Sequence, residues 1–149
     1  LNDTTGQFSA NYTAGVSERR ADVSTYLHSG LKNADARTTD GSAVAADRQY
    51  DAFGNLTGGN GTWNGPFGYA GGFGYQEDGD SGLKLLGHRY YDSTTGRFLS
   101  KDPIGDGRNW YSYCENNPIR RVDNAGLDWI VIVMDKGGRG QGSHARMGI

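Results

Sequence analysis

Apolar positions in this chain come in short bursts, and most alternate with polar residues at a period of two, the spacing of a half-buried strand. Val23-Ser24-Thr25-Tyr26-Leu27-His28 predicts a strand closing on a turn at Ser29-Gly30. Asp40-Gly41 predicts a two-residue hairpin turn with Ala36–Thr39 and Ser42–Ala45 as arms, because both central positions of a type I′ turn need φ > 0. Tyr50 to Leu56 is another strand-to-turn unit. Leu85–Tyr91 and Arg97–Lys101 form two arms across Asp92–Gly96, a loop whose late glycine suits a bulged hairpin. Trp110–Cys114 is expected to pair with Ile119–Asp123 across Glu115–Pro118, followed by a turn at Asp123–Gly126. Residues 1–22 are polar and alternate only weakly, as a hairpin fragment or a loose leading edge would. Trp129–Met134 is the longest apolar run and reads as one buried strand; a Gly- and Arg-rich tail follows from Gly137 to Ile149.

Composition sharpens this picture. Glycine supplies 25 of 149 residues, more than twice its average share of about 7 %. Glycine is poor in helix interiors, whereas the nine Tyr, five Phe and three Trp suit a pleated surface. The expected fold class is all-β, built of consecutive β-hairpins. Residues 57–82 hold ten of the glycines, yet Trp63, Phe67, Tyr69, Phe73 and Tyr75 are interleaved with them. A flexible linker does not carry that density of large rings, so this segment is expected to be packed and rich in turns. Carbohydrate stacking on the same rings is the alternative.

Charge and special residues exclude several classes. Fifteen Lys and Arg against seventeen Asp and Glu give a net charge of −2, which argues against nucleic acid as a partner. Cys114 is the single cysteine, so an intrachain disulfide framework and a Cys-rich metal site are ruled out; it is expected to pack as a small apolar group. His28, His88 and His144 lack metal-ligand spacing, and neither a metal nor a cofactor is expected. No apolar run approaches the ~20 residues of a membrane span. Gly140-Gln-Gly142-Ser-His-Ala145 mimics a dinucleotide fingerprint, but the four residues after it leave no room for the helix that motif needs. Asn2, Asn11, Asn55 and Asn60 begin N-x-T sequons and are read as strand and turn residues. The chain opens on Leu1 without a charged-then-apolar leader, as an excised or processed piece would.

One pattern repeats. Tyr50-Asp51 is followed by a turn containing Gly54 and then Leu56; Tyr91-Asp92 is followed by a turn ending in Gly96 and then Phe98. The echo at about 40 residues marks a repeat architecture. The run from Gly87 through His88-Arg89-Tyr90-Tyr91-Asp92, Gly96-Arg97-Phe98 and Asp102-Pro103-Ile104-Gly105 resembles the core that closes RHS-repeat (YD-repeat) proteins. Trp110 to Pro118 and Val122-Asp123-Asn124-Ala125-Gly126-Leu127 continue that resemblance in order, and Tyr26–Gly30 and Tyr50–Asn55 resemble preceding repeats. It covers roughly residues 23–127 and is most specific over 87–127.

The resemblance implies a strip of hairpins coiling into a hollow shell, with a core plug that cuts its own chain after a Leu and frees a variable segment, commonly a toxin. It divides the chain into YD-repeat hairpins (1–82), the RHS-associated core (83–127) and the start of a C-terminal cargo (128–149). It implies a cis-acting, aspartyl-type peptidase with Asp102 and Asp123 as the carboxylate pair, Arg89 orienting a carboxylate or steadying the oxyanion, and a cut between Leu127 and Asp128. Two carboxylates held together cannot both ionise easily, so one keeps a proton to donate while the other activates water. The implied partners are the upstream repeats, the cargo, and a secretion-system or surface component; the implied location is secreted or on a bacterial cell surface. The family has Pro where this chain has Asn124, and an apolar residue where it has Asp106.

Plainer readings stand beside these. Each aspartate also fits a turn opener that bonds its own backbone, and Arg89 fits a cross-strand ion pair. Within the 85–101 hairpin, Arg89 is expected opposite Leu99, roughly 10 Å along the strand from Asp102 at about 3.3 Å per residue, unless the chain bends near Pro103 or the register differs. The whole chain also fits a non-cleaving surface or fibre module that binds glycans or other chains, and residues 128–149 a bioactive peptide.

Overall fold

The computed structural model describes residues 10–13, 16–20, 22–30, 34–39, 43–105, 109–131 and 146–147. Among them there is no α-helix, and the fold is all-β, as the composition predicts. Six antiparallel strands run in sequence order as one sheet: β1 (Asn11–Thr13), β2 (Ser17–Arg20), β3 (Val23–Gly30), β4 (Ala34–Thr39), β5 (Val44–Tyr50) and β6 (Leu56–Gly61). A second sheet holds β7 (Gln76–Glu77), β8 (Lys84–Leu86), β9 (Arg89–Asp92) and β10 (Arg97–Phe98), again neighbour to neighbour. The third sheet joins β11 (Arg121–Val122), β12 (Ile130–Val131) and β13 (Arg146–Met147).

Several expectations change. Ser29 and Gly30 are not a turn; they extend β3, paired with Asp35 and Ala34. Asp40-Gly41, His144, Asp106 and the Gly140–Ala145 motif lie outside the described residues; β4 and β5 pair, but with Ala36 opposite Asp47 and Thr38 opposite Val44 rather than in the register of the expected arms, which would set Ala36 opposite Ala45. Leu85–Tyr91 is two strands, because Leu86 pairs with Arg89 across a tight turn at Gly87-His88. Trp110–Cys114 does not pair with Ile119–Asp123. Cys114, Glu115 and Asn116 all take positive φ, which coils the backbone into a 3-10 turn instead of a hairpin loop. Residues 110–112 instead follow the outer edge of β10, where Phe98 N–H donates to the Tyr111 carbonyl at 2.9 Å. β11 takes β12 as its partner. Of the Trp129–Met134 run, only Ile130–Val131 is described as strand, and it is half-buried rather than buried.

The core is made largely of tyrosine: Tyr50, Tyr69, Tyr75, Tyr91 and Tyr113 pack with Leu86, Phe98, Cys114 and Val122. A buried phenol needs a hydrogen-bond partner, and these have them. Tyr69 donates to the Ala52 carbonyl at 2.7 Å and Tyr91 to the Phe53 carbonyl at 2.8 Å. Tyr75 and Tyr113 share a bond at 2.9 Å. Cys114 is buried among them. In the glycine-rich segment Phe67, Tyr69 and Tyr75 are buried, so it is packed and these rings are not available to stack on a sugar.

The internal echo is physical as well. Asp51 Oδ1 accepts the Phe53 and Asn55 amides, and Asp92 Oδ1 accepts the Thr94 amide, so both aspartates open their turns alike. The two turns also meet, since a side chain on Gly96 (φ +67°) would lie 3.2 Å from the Phe53 ring.

Candidate functional site

Strand alternation in β9 points Arg89 and Tyr91 inward and Tyr90 outward. Arg89 is thereby 4 % exposed, and a guanidinium at that depth is tolerable only with its donors satisfied. Nε donates to the Gly126 carbonyl, Nη1 to the Trp110 carbonyl at 3.2 Å. Nη2 faces Asp102 Oδ2 at 3.3 Å and Asp123 Oδ2 at 3.5 Å. The face of the guanidinium stacks on Phe98, 3.6 Å from the ring centroid. Two carboxylates separated by 21 positions therefore share one nitrogen.

The expected gap between Arg89 and Asp102 is closed by a different register and by a bend at residues 99–100, ahead of Asp102 rather than near Pro103. The register places Phe98 opposite Tyr91, so Arg89 projects toward Ser100 rather than Leu99. The ladder then stops and the chain bends at residues 99–100. Asp102 N–H donates to the Trp110 carbonyl at 3.0 Å, the same oxygen that accepts Arg89 Nη1. Asp102 is also a turn opener, with Oδ1 accepting the Ile104 amide at 2.9 Å. One oxygen serves the turn and the other the guanidinium.

Asp123 sits deeper. Its N–H donates to the Tyr75 hydroxyl at 2.9 Å, and its Oδ1 accepts the Leu127 amide at 3.1 Å. Burial pushes its carboxyl above the ordinary value of 3.8; the Leu127 amide, the Arg89 charge and the Gly126 and Asp128 amides pull the other way. An environment that favours the protonated acid at one of two carboxyls meeting a common guanidinium nitrogen is an arrangement acid–base chemistry can use. The Asp128 amide that Asp123 senses belongs to the Leu127–Asp128 peptide bond itself.

The segment leading into that bond is clasped onto the β8–β9 turn. Gly126 has φ +66°, and a Cβ there would stand 2.2 Å from the Leu86 carbonyl oxygen; Gly87 has φ +58°, and its Cβ would stand 2.6 Å from the Ala125 carbonyl oxygen. Only glycine fits either side. The Ala125 carbonyl accepts both the His88 amide, at 3.1 Å, and His88 Nδ1, at 3.0 Å. Leu127 is half-buried and Asp128 exposed.

Sequence reasoning singles out Arg89, Asp102 and Asp123, and the fold brings these three together. It misses Tyr75, His88 and the Trp110 carbonyl. Tyr75 lies 48 positions from Asp123 and no local signal joins them; the paired glycines 87 and 126 were the available hint. It also misses a second polar cluster, where buried Lys84 lies 3.3 Å from Ser93 Oγ and 4.0 Å from Glu77, while Glu77 meets Arg48 at 3.5 Å. Burial pushes the Lys84 ammonium pKa down. This cluster ties β5 to β7 and β8 and lies outside the Arg89 site.

No protein-family model matches the chain. Among curated proteins, it is similar to the tRNA nuclease WapA of Bacillus subtilis (strain 168), 39 % identical over 103 residues that make up 63 % of this chain and 4 % of the nuclease. It is similar to toxin subunit YenC2 of Yersinia entomophaga, 47 % identical over 55 residues, 34 % of this chain and 6 % of the subunit. Toxin subunit YenC1 of the same organism is 43 % identical over 63 residues, 41 % of this chain and 6 % of the subunit. The chain thus has homologues among toxin proteins, and it spans only a small part of each.

Proposed function

We propose that the chain is the C-terminal end of an RHS/YD-repeat protein of the polymorphic-toxin type and that it cuts its own backbone between Leu127 and Asp128. Residues 1–82 are repeat hairpins, 83–127 the self-cleaving core and 128–149 the beginning of a cargo. The upstream repeats and that cargo are its natural partners, in a secreted or surface-exposed bacterial protein. The observation that carries this reading is the convergence of Asp102 and Asp123 on Arg89 Nη2, beside a glycine-clasped segment that leads into the cut. Homology to a nuclease and to toxin subunits supports an effector as cargo.

The chemistry balances with water as co-reactant. Asp102, the more exposed carboxylate, removes a proton from a water molecule, whose oxygen attacks the Leu127 carbonyl carbon. Asp123, in the protonated form that burial favours, delivers its proton to the Asp128 nitrogen as the C–N bond breaks, so the cut draws on the fraction of chains in which this carboxyl holds its proton. The immediate products are a Leu127 carboxylic acid and an Asp128 amine, which settle to carboxylate and ammonium by passing one proton between them, while Asp102 ends with the proton taken from water and Asp123 without the one it gave. Arg89 is the positioning residue: it holds both carboxylates and the Gly126 carbonyl in one frame.

The test is the intact mass of freshly purified chain beside Asp102→Asn and Asp123→Asn. Fragments 1–127 and 128–149 from the parent, absent from both variants, are the expected result. A folded parent that stays whole refutes self-cleavage. It would favour instead a non-cleaving binding module, for which the exposed Tyr90, Leu99, Trp110 and Tyr111 offer a surface.

A further inference from the structure

We infer that His88 is a positioning residue that grips the chain two residues before Leu127, and that this grip sets where the cut falls; the second half of the inference rests on the self-cleavage proposed above. The Ala125 carbonyl can only accept hydrogen bonds, so His88 Nδ1, 3.0 Å away, must carry a hydrogen. Together with the His88 amide this makes a two-pronged hold on a single oxygen. The neighbouring Gly126 carbonyl is taken by Arg89 Nε and the Leu127 amide by Asp123. Three consecutive residues before the cut are thus held by three side chains.

Of these three side chains only His88 stands apart from the carboxylate pair. It is exposed, so its removal leaves the core and the Asp102–Arg89–Asp123 cluster intact. Its grip is on the backbone, so it acts whatever residue occupies position 125, while the two glycines admit the segment to within van der Waals range of the β8–β9 turn.

The test compares the full chain with His88→Ala and His88→Asn, because an asparagine Nδ2 can occupy the place of Nδ1 and donate in the same direction. One lost side-chain hydrogen bond predicts cleavage roughly 3- to 10-fold slower in His88→Ala, restored in His88→Asn. The same pair is then placed in the Asp102→Asn background, and amide hydrogen exchange is followed by mass spectrometry. Residues 125–128 should exchange faster by a similar factor with Ala and return to the parent rate with Asn. Unchanged exchange in His88→Ala overturns the grip, whether or not the parent cleaves. Faster exchange with an unchanged cleavage rate overturns its role in setting the cut. The parent's own mass reports separately on the self-cleavage reading.

Discussion

Replacing Arg89 by Met should destabilise the chain far more when Asp123 is ionised beside it than when that partner is neutral. The comparison is made in Asp102→Asn, so that every protein compared is uncut, with and without Asp123→Asn. Arg89→Met removes two bonds to backbone carbonyls and the stack on Phe98 in both arms of this cycle. Those losses, about 1 kcal/mol per neutral hydrogen bond and about 0.5–2 kcal/mol for the cation–π contact, are common to both arms and cancel. What remains is the charge-assisted contact between Nη2 and Asp123 Oδ2, about 1.5–3 kcal/mol for a buried pair. Urea unfolding followed by tryptophan fluorescence measures it as a coupling free energy at pH 7. Repeating the cycle near pH 4 should shrink it, because Asp123 already resists ionisation through burial and loses a favourable charge when Arg89 goes. A coupling under about 0.5 kcal/mol at pH 7, the scatter expected of independent sites, would refute the claim that this guanidinium holds that carboxylate.

The raised Asp123 carboxyl has a signed consequence for pH. The folded chain keeps this proton over a window beginning near the ordinary 3.8, where the unfolded chain has lost it, so the stability this group contributes falls as pH rises through the window. Subtracting the Asp102→Asn/Asp123→Asn profile from that of Asp102→Asn should show this decline in thermal unfolding; a difference that climbs with pH would contradict it. Gly126→Ala should abolish the cut and lower stability by more than the ~1–2 kcal/mol of a left-handed backbone, because its Cβ meets a carbonyl oxygen. Gly82→Ala, at φ +72° with nothing within 4 Å of its Cβ, should cost only the backbone term and leave the cut intact, as mass and melting temperature will report.

Local order was legible wherever neighbours in sequence decide it. The polar–apolar pattern foretold most of β3, and the Asp-to-Gly turns at 51–55 and 92–96 form because each aspartate bonds amides only a few residues on. The pairing assigned to Trp110–Cys114 failed for the converse reason. The edge of β10 offered those residues partners and a run of positive φ at 114–116 turned the chain aside. The strand after Leu127 was legible as apolar but not as half-buried, since burial depends on what covers it.

The same division runs through the site. The sequence by itself determined that the fold was all-β, because turn chemistry and strand period are local properties, and the resemblance carried by the motifs of residues 87–127 marked Arg89, Asp102 and Asp123 as the residues to watch. Only the tertiary structure decided that the three meet, because a strip of hairpins measures distance along each strand and the meeting depends on where the ladder ends. The bend after Phe98, the shared Trp110 carbonyl and the closing of Gly126 over Gly87 bring together groups that lie far apart in sequence. Tyr75 beneath Asp123 and His88 beneath Ala125 were invisible beforehand for the same physical reason: their partners are set by packing across the sheets and not by spacing along the chain.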